Sequence, residues 1–356
     1  MNKFLLIFLL LFTLTGCVGQ TIVEDVNLLS GLGYDLEDDK VRVTTLVPRY
    51  QPDKKTSNIT FSVLGKFEDD TIKKVNAQSE KPFVSGTLEV VLIENQLAEG
   101  GVLRLIDQVR RHPVIGSRVY LAIVDGKAKD VLETNQAPLE TGRVISGLIE
   151  QNVKFGMLPK TNLHIFRSVY QDEGMDPLLP IIEKKEDKII LKGIALFEGD
   201  SYKASIENTE DTFVFKLLMG EKDYRDSLIL HLEDTNDFVR IEKAYSKRAY
   251  TISEQMKTPK ITITIKTVAY LTEYSGEEIT KKLKPKIEKD VAKEIKTRAE
   301  KLIAEFQKQQ IDPLGIGLEV RSRTRNWDLK KWDELYPNAQ ITVKPEVTVM
   351  HYGVFE

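Results

Sequence analysis

The chain has 356 residues, of which 41% are hydrophobic, so it is long enough to bury a sizeable core and to divide into about two or three domains. Its formal net charge of −3 at pH 7 argues against a nucleic-acid partner, because nucleic-acid sites are basic. The sequence contains a single cysteine, which excludes an intramolecular disulfide.

Residues 1–17 predict a secretory signal peptide followed by a lipid-attachment site. Lys3 precedes an apolar run from Phe4 to Leu14, which is shorter than the roughly 20 residues that a membrane-spanning helix needs. The run ends in Leu14-Thr15-Gly16-Cys17, which looks like a bacterial lipobox, whose cysteine receives a diacylglyceryl group and becomes the mature N-terminus. We expect residues 1–16 to be removed, leaving a body of charge 50 − 54 = −4. The alternative, an N-terminal core helix, explains less well an apolar run so close to Met1.

The next part of the chain has the pattern of a mixed sheet with helices. Apolar residues alternate on both sides of the acidic turn at Glu37–Lys40, which predicts an antiparallel hairpin. A strand at Leu88–Glu94, a helical pattern at Leu97–Arg111 and a strand at Val119–Val124 predict a βαβ unit, and hence a parallel pair. The Gly31-x-Gly33 pair lacks the third glycine of a dinucleotide loop and leads into a strand, so we expect no cofactor there.

A connection rich in proline and charge, from Asp176 to Lys188, is interpreted as a domain boundary. Short strand patterns separated by polar turns follow it. The clean alternation in Ile261–Ile265 is typical of an antiparallel sheet with one face in water. The acidic clusters of this part fall in the turns, so we interpret them as solvated hairpin tips rather than metal sites.

A long amphipathic helix is predicted at about 285–310, because apolar residues recur there every three or four positions. Its single apolar stripe predicts that it lies across the antiparallel sheet. A membrane-surface helix is the alternative, but glutamates are as frequent as lysines on the polar face, which disfavours anionic lipid. After the helix come Asp312–Gly317, then Trp327, Trp332 and a last strand at Ile341–Val349.

The sequence contains few candidates for chemistry. The four histidines, His112, His164, His231 and His351, stand apart, without the spacing of a zinc site. There is no nucleophile elbow and no phosphate-binding loop of the Walker type. We therefore expect no catalytic residues, no metal and no cofactor, with Cys17 as the one functional residue.

Several motifs, in order and spacing, resemble the C-subunit lipoproteins of spore nutrient germinant receptors, the GerAC-like family. The motifs are the lipobox at Leu14–Cys17, Gly31–Asp35, Val91–Gly101, Leu179-Pro180, Lys192–Phe197, and Asp312–Gly317 with Trp327 and Trp332 downstream. Family members commonly have Trp-Asp after the acylated cysteine, whereas this chain has Val18-Gly19. The departure affects contacts of that tryptophan and leaves the lipid attachment at Cys17 unchanged.

The resemblance implies a three-domain α+β fold with a mixed-sheet N-terminal domain, antiparallel sheets and a long C-terminal helix. We place the N-terminal domain at 17–187, a small antiparallel-sheet domain at 188–258, and the C-terminal domain at 259–356. The implied role is a non-enzymatic subunit beside membrane-embedded A and B subunits, anchored by lipid to the outer face of the cytoplasmic membrane, which is the inner membrane of the spore. It would support receptor assembly or signalling in nutrient-triggered germination.

A solute-binding lipoprotein of an importer is the alternative, since it also has a lipobox and no catalytic motif. Such proteins usually alternate strands and helices through two similar lobes, and the antiparallel second half argues against that. An enzyme on a lipid tether comes third.

Overall fold

A computed structural model describes residues 23–50, 56–66, 71–110, 118–136, 138–220, 227–232, 237–254, 256–276 and 283–351. The strands are β1 Asn27–Leu28, β2 Gly31–Glu37, β3 Lys40–Tyr50, β4 Thr56–Gly65, β5 Phe83–Val84, β6 Val90–Glu94, β7 Tyr120–Asp125, β8 Leu178–Lys185, β9 Lys188–Glu198, β10 Ser201–Ile206, β11 Ser227–His231, β12 Phe238–Ser253, β13 Lys260–Tyr274 and β14 Gln340–His351. The helices are α1 Thr71–Asn76, α2 Asn95–Glu99, α3 Leu103–Arg110, α4 Ala128–Leu132, α5 Thr141–Lys154, α6 Leu163–Gln171, α7 Thr209–Met219, α8 Leu283–Lys308, α9 Ile316–Arg321 and α10 Leu329–Leu335. Short 3-10 turns occupy Val23–Asp25 and Tyr336–Asn338.

An eight-stranded mixed sheet forms the first part of the molecule, in the order β10-β9-β8-β7-β6-β2-β3-β4. The central strands β2, β6, β7 and β8 are parallel, and antiparallel hairpins extend the sheet on both sides. This confirms the predicted hairpin and the predicted parallel pair. Every residue of β6 is buried, because Val90 and Leu92 face one core while Val91 and Ile93 face the other. Cover on both faces explains why β6 is continuously apolar from Val90 to Ile93.

The predicted helix at Leu97–Arg111 is divided into α2 and α3. Gly101 separates them with a φ of +98°, in the region that favours glycine. The side chain of Asp200 then accepts the backbone N–H of Leu103 at 2.9 Å, so a residue from the β9–β10 turn caps α3. The break was not predicted, because the helical spacing of apolar residues continues through Gly101. The residue that caps α3 lies 97 positions further along the chain.

The predicted boundary at 187/188 falls in the turn between β8 and β9, which are paired neighbours in the same sheet. Leu178–Pro180, expected in an exposed connection, is buried in β8. The segment 188–258 does not form a separate small sheet, since β9 and β10 complete the eight-stranded sheet while β11 and β12 belong to the next one. A sheet extends wherever an edge strand finds a partner, so a polar turn inside it resembles a linker in sequence.

Helix α7 was not predicted, although it packs against α8 and against strands β11 and β12. Its residues from Thr212 to Leu218 are all buried, so it has no polar face to produce an amphipathic pattern. The side chain of Asn208 caps its first turn by accepting the N–H of Asp211 at 3.0 Å, and Gly220 ends it with a φ of +71°.

The second sheet has the order β11-β12-β13-β14, with the long helix α8 packed on it. The first three strands are antiparallel, and Ile261, Ile263 and Ile265 are buried as their alternation predicted. Strand β14 is parallel to β13, because α8 returns the chain to the end of the sheet at which β13 begins. Helix α8 has the predicted stripe, and Pro285 fits in its first turn, where backbone N–H groups have no helical partner. The predicted α+β class and long C-terminal helix are confirmed.

Candidate functional site

The predicted lipid-attachment residue, Cys17, and the predicted signal peptide lie outside the described residues. The described body begins at Val23. Within that body, no helix is long and apolar enough to cross a bilayer. The described part also contains no group of three or more His, Cys, Asp or Glu side chains placed to hold a metal ion.

The Gly31–Asp35 motif is the surface against which helix α4 packs. A Cβ atom on Gly33 would lie 2.9 Å from Cδ1 of Leu132 and 3.1 Å from Cβ of Ala128, so the absence of a side chain lets the helix approach the strand. The carboxylate of Asp35 accepts the backbone N–H groups of Ala128 at 2.5 Å and Lys129 at 3.0 Å. The motif therefore packs against helix α4 and caps it.

The motif residues Glu94 and Lys192 form ion pairs at the carboxyl ends of the parallel strands β6 and β7. Glu94, at the end of β6, accepts the backbone N–H of Leu36 at 2.6 Å and pairs with Lys127 at 2.5 Å. Lys192 of β9 contacts Asp125 at the end of β7 and Glu207 at 3.5 Å. Carboxyl ends of parallel strands are common ligand sites, but here these groups bind one another and connect neighbouring strands.

A second cluster joins the two parts of the molecule. It consists of Gly174, Asp176, the loop Asp312–Gly317, Trp327, Trp332 and Tyr336, and we call it the junction. Asp176 precedes β8, and Asp312 follows α8. The backbone N–H of Asp312 donates to Oδ2 of Asp176 at 2.7 Å, and the backbone N–H of Asp176 donates to the carbonyl oxygen of Asp312 at 2.9 Å. Oδ1 of Asp176 also accepts the N–H of Gly199 at 2.9 Å. One carboxylate thus ties the first sheet to the loop after the long helix.

The loop Asp312–Gly317 is shaped by its own aspartate. Oδ1 of Asp312 accepts the N–H of Ile316 at 2.9 Å, and Oδ2 accepts the N–H of Gly317 at 2.7 Å. Burial raises the pKa of Asp312 to about 7, while these two N–H groups act in the opposite direction. Burial also raises the pKa of Asp176, partly offset by the N–H groups of Asp312 and Gly199.

Two glycines permit the closest approach at the junction. A Cβ atom on Gly317 would lie 2.7 Å from the Cα of Gly174 and 2.7 Å from Nε1 of Trp332. Gly174 has a φ of +89°, and its carbonyl oxygen accepts the N–H of Leu318 at 2.9 Å. Backbone from residues far apart in sequence therefore packs directly against backbone, which side chains would prevent.

The two tryptophans belong to the same contact. Trp327, Trp332 and Tyr336 form a run of neighbouring rings with centroids 5.9 and 5.6 Å apart. Trp332 is buried, whereas Nε1 of Trp327 donates to the carboxylate of Glu173 at 2.8 Å. The hydroxyl of Tyr336 donates to the carbonyl oxygen of Ile311 at 2.9 Å. These rings are thus core and rim residues of the junction.

A cleft of about 360 Å³ opens beside the junction. Its walls include carboxylates from both parts of the molecule, among them Glu198 and Asp333, and the ring of Tyr170. Asp176 and Asp312 also line the cleft, and both carboxylates already accept backbone N–H groups, so they hold two segments together. The role of Asp176 was missed, because its partner lies 136 positions further along the chain and no local pattern connects them.

Comparisons with known proteins match the whole length of the chain. A family model described as "Spore germination protein N-terminal domain" matches residues 19–184, and one described as "Spore germination B3/ GerAC like, C-terminal" matches residues 192–353. The interval between them contains the turn that joins β8 and β9. Most of β9 and all of β10 fall in the second family segment, and both strands belong to the sheet formed mainly by the first.

Named relatives and a solved structure agree with these matches. The chain is 29% identical to the spore germination protein GerQC of Bacillus cereus, with 100% of each chain covered. It is 22% identical to the putative spore germination protein YfkR of Bacillus subtilis, covering 99% of this chain and 97% of the relative. The crystal structure of the GerBC protein matches the fold with a TM-score of 0.62 at 17% identity, covering 92% of this chain and 100% of that one.

Proposed function

This chain belongs to the GerAC-like family of spore germination C subunits, and we propose on that basis that it is the non-enzymatic, lipid-anchored subunit of a nutrient germinant receptor. The proposal rests on one observation: two family models match residues 19–184 and 192–353, and a relative aligns with this chain over its full length. Its role is to support receptor assembly or signalling in nutrient-triggered germination. Its partners are the membrane-embedded A and B subunits.

The proposed anchor is the acylated thiol of Cys17. Two or more acyl chains hold a protein at a bilayer, because each buried CH₂ group contributes about 0.8 kcal/mol and a single chain gives only marginal binding. The body then lies on the outer face of the cytoplasmic membrane, which is the inner membrane of the spore.

The contacts inside the described body support the proposal that this subunit acts by binding other proteins. The motif residues that the structure describes act in packing, capping and ion pairing, and the junction uses its carboxylates on backbone N–H groups. A subunit whose motif residues bind one another leaves its outer surface available for contacts with partners. The alternative of a solute-binding lipoprotein expects two similar lobes, whereas the two large sheets here differ in size and strand order.

Replacing Cys17 by alanine tests the anchor. We expect Cys17→Ala to abolish palmitate labelling, to release the protein from the membrane fraction and to slow nutrient-triggered germination. Thr15→Ser is the matched control, because it changes the same motif and keeps the thiol. Full membrane retention of the unlabelled variant would contradict the proposal that lipid is the anchor.

Calorimetry on the purified protein separates the receptor subunit from the importer alternative. We expect amino acids and sugars to give no binding signal at micromolar concentration, because this subunit supports the receptor rather than recognising the nutrient. A micromolar dissociation constant for one of them would favour the solute-binding lipoprotein.

A further inference from the structure

A groove of about 350 Å³ lies between strand β11 and helix α8. One wall consists of residues 229–231 of β11, and the other consists of side chains from residues 290–298 of α8. The groove follows the edge of the second sheet, because β11 pairs with β12 alone among the strands that the structure describes. We call it the edge groove. A strand edge therefore faces a charged helix surface across a space that no described residue fills.

The backbone of β11 presents hydrogen-bonding groups to the edge groove. The N–H of Leu232 donates to the carbonyl oxygen of Asp237 at 2.8 Å, so the backbone groups of Leu232 face β12. Backbone groups of an antiparallel strand point to alternate sides, so those of Leu230 also face β12, whereas those of Ile229 and His231 point away from it. These outward groups recur every two residues, or about 7 Å, which is the spacing that another extended chain needs to pair with them.

The helix wall of the edge groove contains an acceptor without a donor. Oδ2 of Asp290 is buried and has no hydrogen-bond partner among the described residues. The cations of the same wall are already engaged, since Arg298 binds Glu294 at 2.6 Å and Asp211 at 2.7 Å. Lys293 also interacts with another group. A buried carboxylate oxygen without a donor is unfavourable, so charge complementarity favours an occupant that brings a lysine or an arginine to Asp290.

The opposite edge of the same sheet differs. There α8 lies against β14, and the side chains of Glu288 and Glu300 accept the N–H groups of Val349 and Val343. Helix α8 thus supplies acceptors to the β14 edge, whereas a groove remains between α8 and the β11 edge. The β11 edge therefore has room for a further chain.

We propose that the edge groove binds an extended segment of a partner protein, which adds a strand beside β11 and places a lysine or an arginine against Asp290. The backbone of that segment exchanges hydrogen bonds with Ile229 and His231. In this mode of recognition the main chain supplies affinity and the side chains supply specificity. A second copy of β11 does not meet the requirement, because Ser227–His231 contains no lysine or arginine. The inference goes beyond the proposed function and does not depend on Cys17.

A random peptide library displayed on phage is the probe. Its peptides have roughly ten residues, the upper length of ordinary strands, and they are selected on the purified full-length protein in detergent. We expect selection of peptides that contain lysine or arginine. Synthetic copies are then titrated by fluorescence anisotropy.

Two variants test the two halves of the edge groove. Ile229→Pro removes an outward N–H while leaving the bonds to β12, so it should abolish binding. Ile229→Thr is the matched control, because it keeps the N–H and should bind as the unchanged protein does. Asp290→Asn keeps an acceptor oxygen and loses the charge, so it should weaken binding about tenfold. Circular dichroism checks that each variant is folded.

Amide hydrogen exchange, followed by NMR, shows whether a strand is added. A bound peptide should slow exchange at Ile229 and His231 at least about tenfold, because each hydrogen bond to the peptide must open before exchange occurs. Exchange at Leu230, whose N–H faces β12, should change less. If Ile229→Pro does not fold, this measurement and Asp290→Asn decide the question.

Selected peptides that bind Ile229→Pro as tightly as the unchanged protein, or that leave both amides unprotected, would overturn the proposal, as would a selection that enriches no peptide. A dimer of the chain alone that Ile229→Pro dissociates would assign the edge groove to a second copy instead. None of these results changes the expected palmitate label on Cys17, so failure here is distinct from failure of the proposed function.

Discussion

The backbone N–H of Asp312 donates to the carboxylate of Asp176 at 2.7 Å, while the backbone N–H of Asp176 donates to the carbonyl oxygen of Asp312 at 2.9 Å. This reciprocal pair connects the start of β8 to the loop after the long helix. The two residues belong to different family segments, so the contact fixes one segment against the other.

Removing the carboxylate of Asp176 should destabilise the protein. Asp176→Ala leaves the N–H groups of Asp312 and Gly199 without their acceptor, and we expect a loss of about 3 kcal/mol in the free energy of unfolding. Asp176→Asn keeps one acceptor oxygen, so its loss should be about half as large. Urea denaturation of the purified protein measures both. Equal stability of Asp176→Ala and the unchanged protein would show that water replaces the carboxylate at the junction.

The raised pKa of Asp312 should make the stability of the protein depend on pH. The pKa of this carboxyl is about 7 in the folded protein, well above its ordinary value of 3.8, because burial disfavours the charged form. Between these two values the unfolded chain has released its proton while the folded chain retains it. The contribution to stability is therefore fully present below about pH 4 and is lost as pH rises through about 7.

We thus expect Asp312 to lower the free energy of unfolding of the protein as pH rises from about 4 to about 7. The variant Asp312→Asn should show a smaller decrease over the same range. The measurement is a series of urea denaturations across that range, compared between the two proteins. The same slope in both would assign the pH dependence to other groups, of which Asp176 is the nearest, since its pKa is also raised.

A methyl group on Gly317 should disrupt the junction. In Gly317→Ala the new Cβ would lie 2.7 Å from the Cα of Gly174, and backbone cannot move aside as a flexible side chain can. We expect a loss of about 2 kcal/mol, the usual size of an overpacking effect. Gly147→Ala is the matched control, because Gly147 is in helix α5 with no atom within 4 Å of the new Cβ. That change should stabilise the protein by up to about 1 kcal/mol, since alanine favours helix.

The free edge of β14 is protected by helix α8. Oε1 of Glu288 accepts the N–H of Val349 at 2.9 Å, Oε1 of Glu300 accepts the N–H of Val343 at 3.4 Å, and Pro345 between them has no N–H. Exposed edge N–H groups attract strands of other molecules. We expect the double change Glu288→Ala and Glu300→Ala to increase self-association, measured by light scattering on storage. The single change Glu305→Ala, on the same helix, is the control, and equal scattering from both would contradict the protective role.

The local pattern of apolar residues was sufficient to predict an element when the element has one face in a core and one face in water. The alternation in Ile261–Ile265 and the apolar stripe of α8 report which side faces a core, because period two and period 3.6 follow from backbone geometry. The same reasoning found the β2–β3 hairpin and the βαβ unit. It failed for α7, whose residues are buried on every side and therefore carry no period.

The sequence by itself determined the α+β class, the long helix and the family motifs, and it predicts Cys17 as the lipid-attachment site, which remains a prediction. Only the tertiary structure decided that β9 and β10 complete the first sheet, that Gly174 packs against Gly317, and that Asp176 binds the loop at Asp312. The physical reason is distance along the chain. Periodicity records whether a residue faces water, whereas a hydrogen bond across 136 residues depends on how whole elements pack.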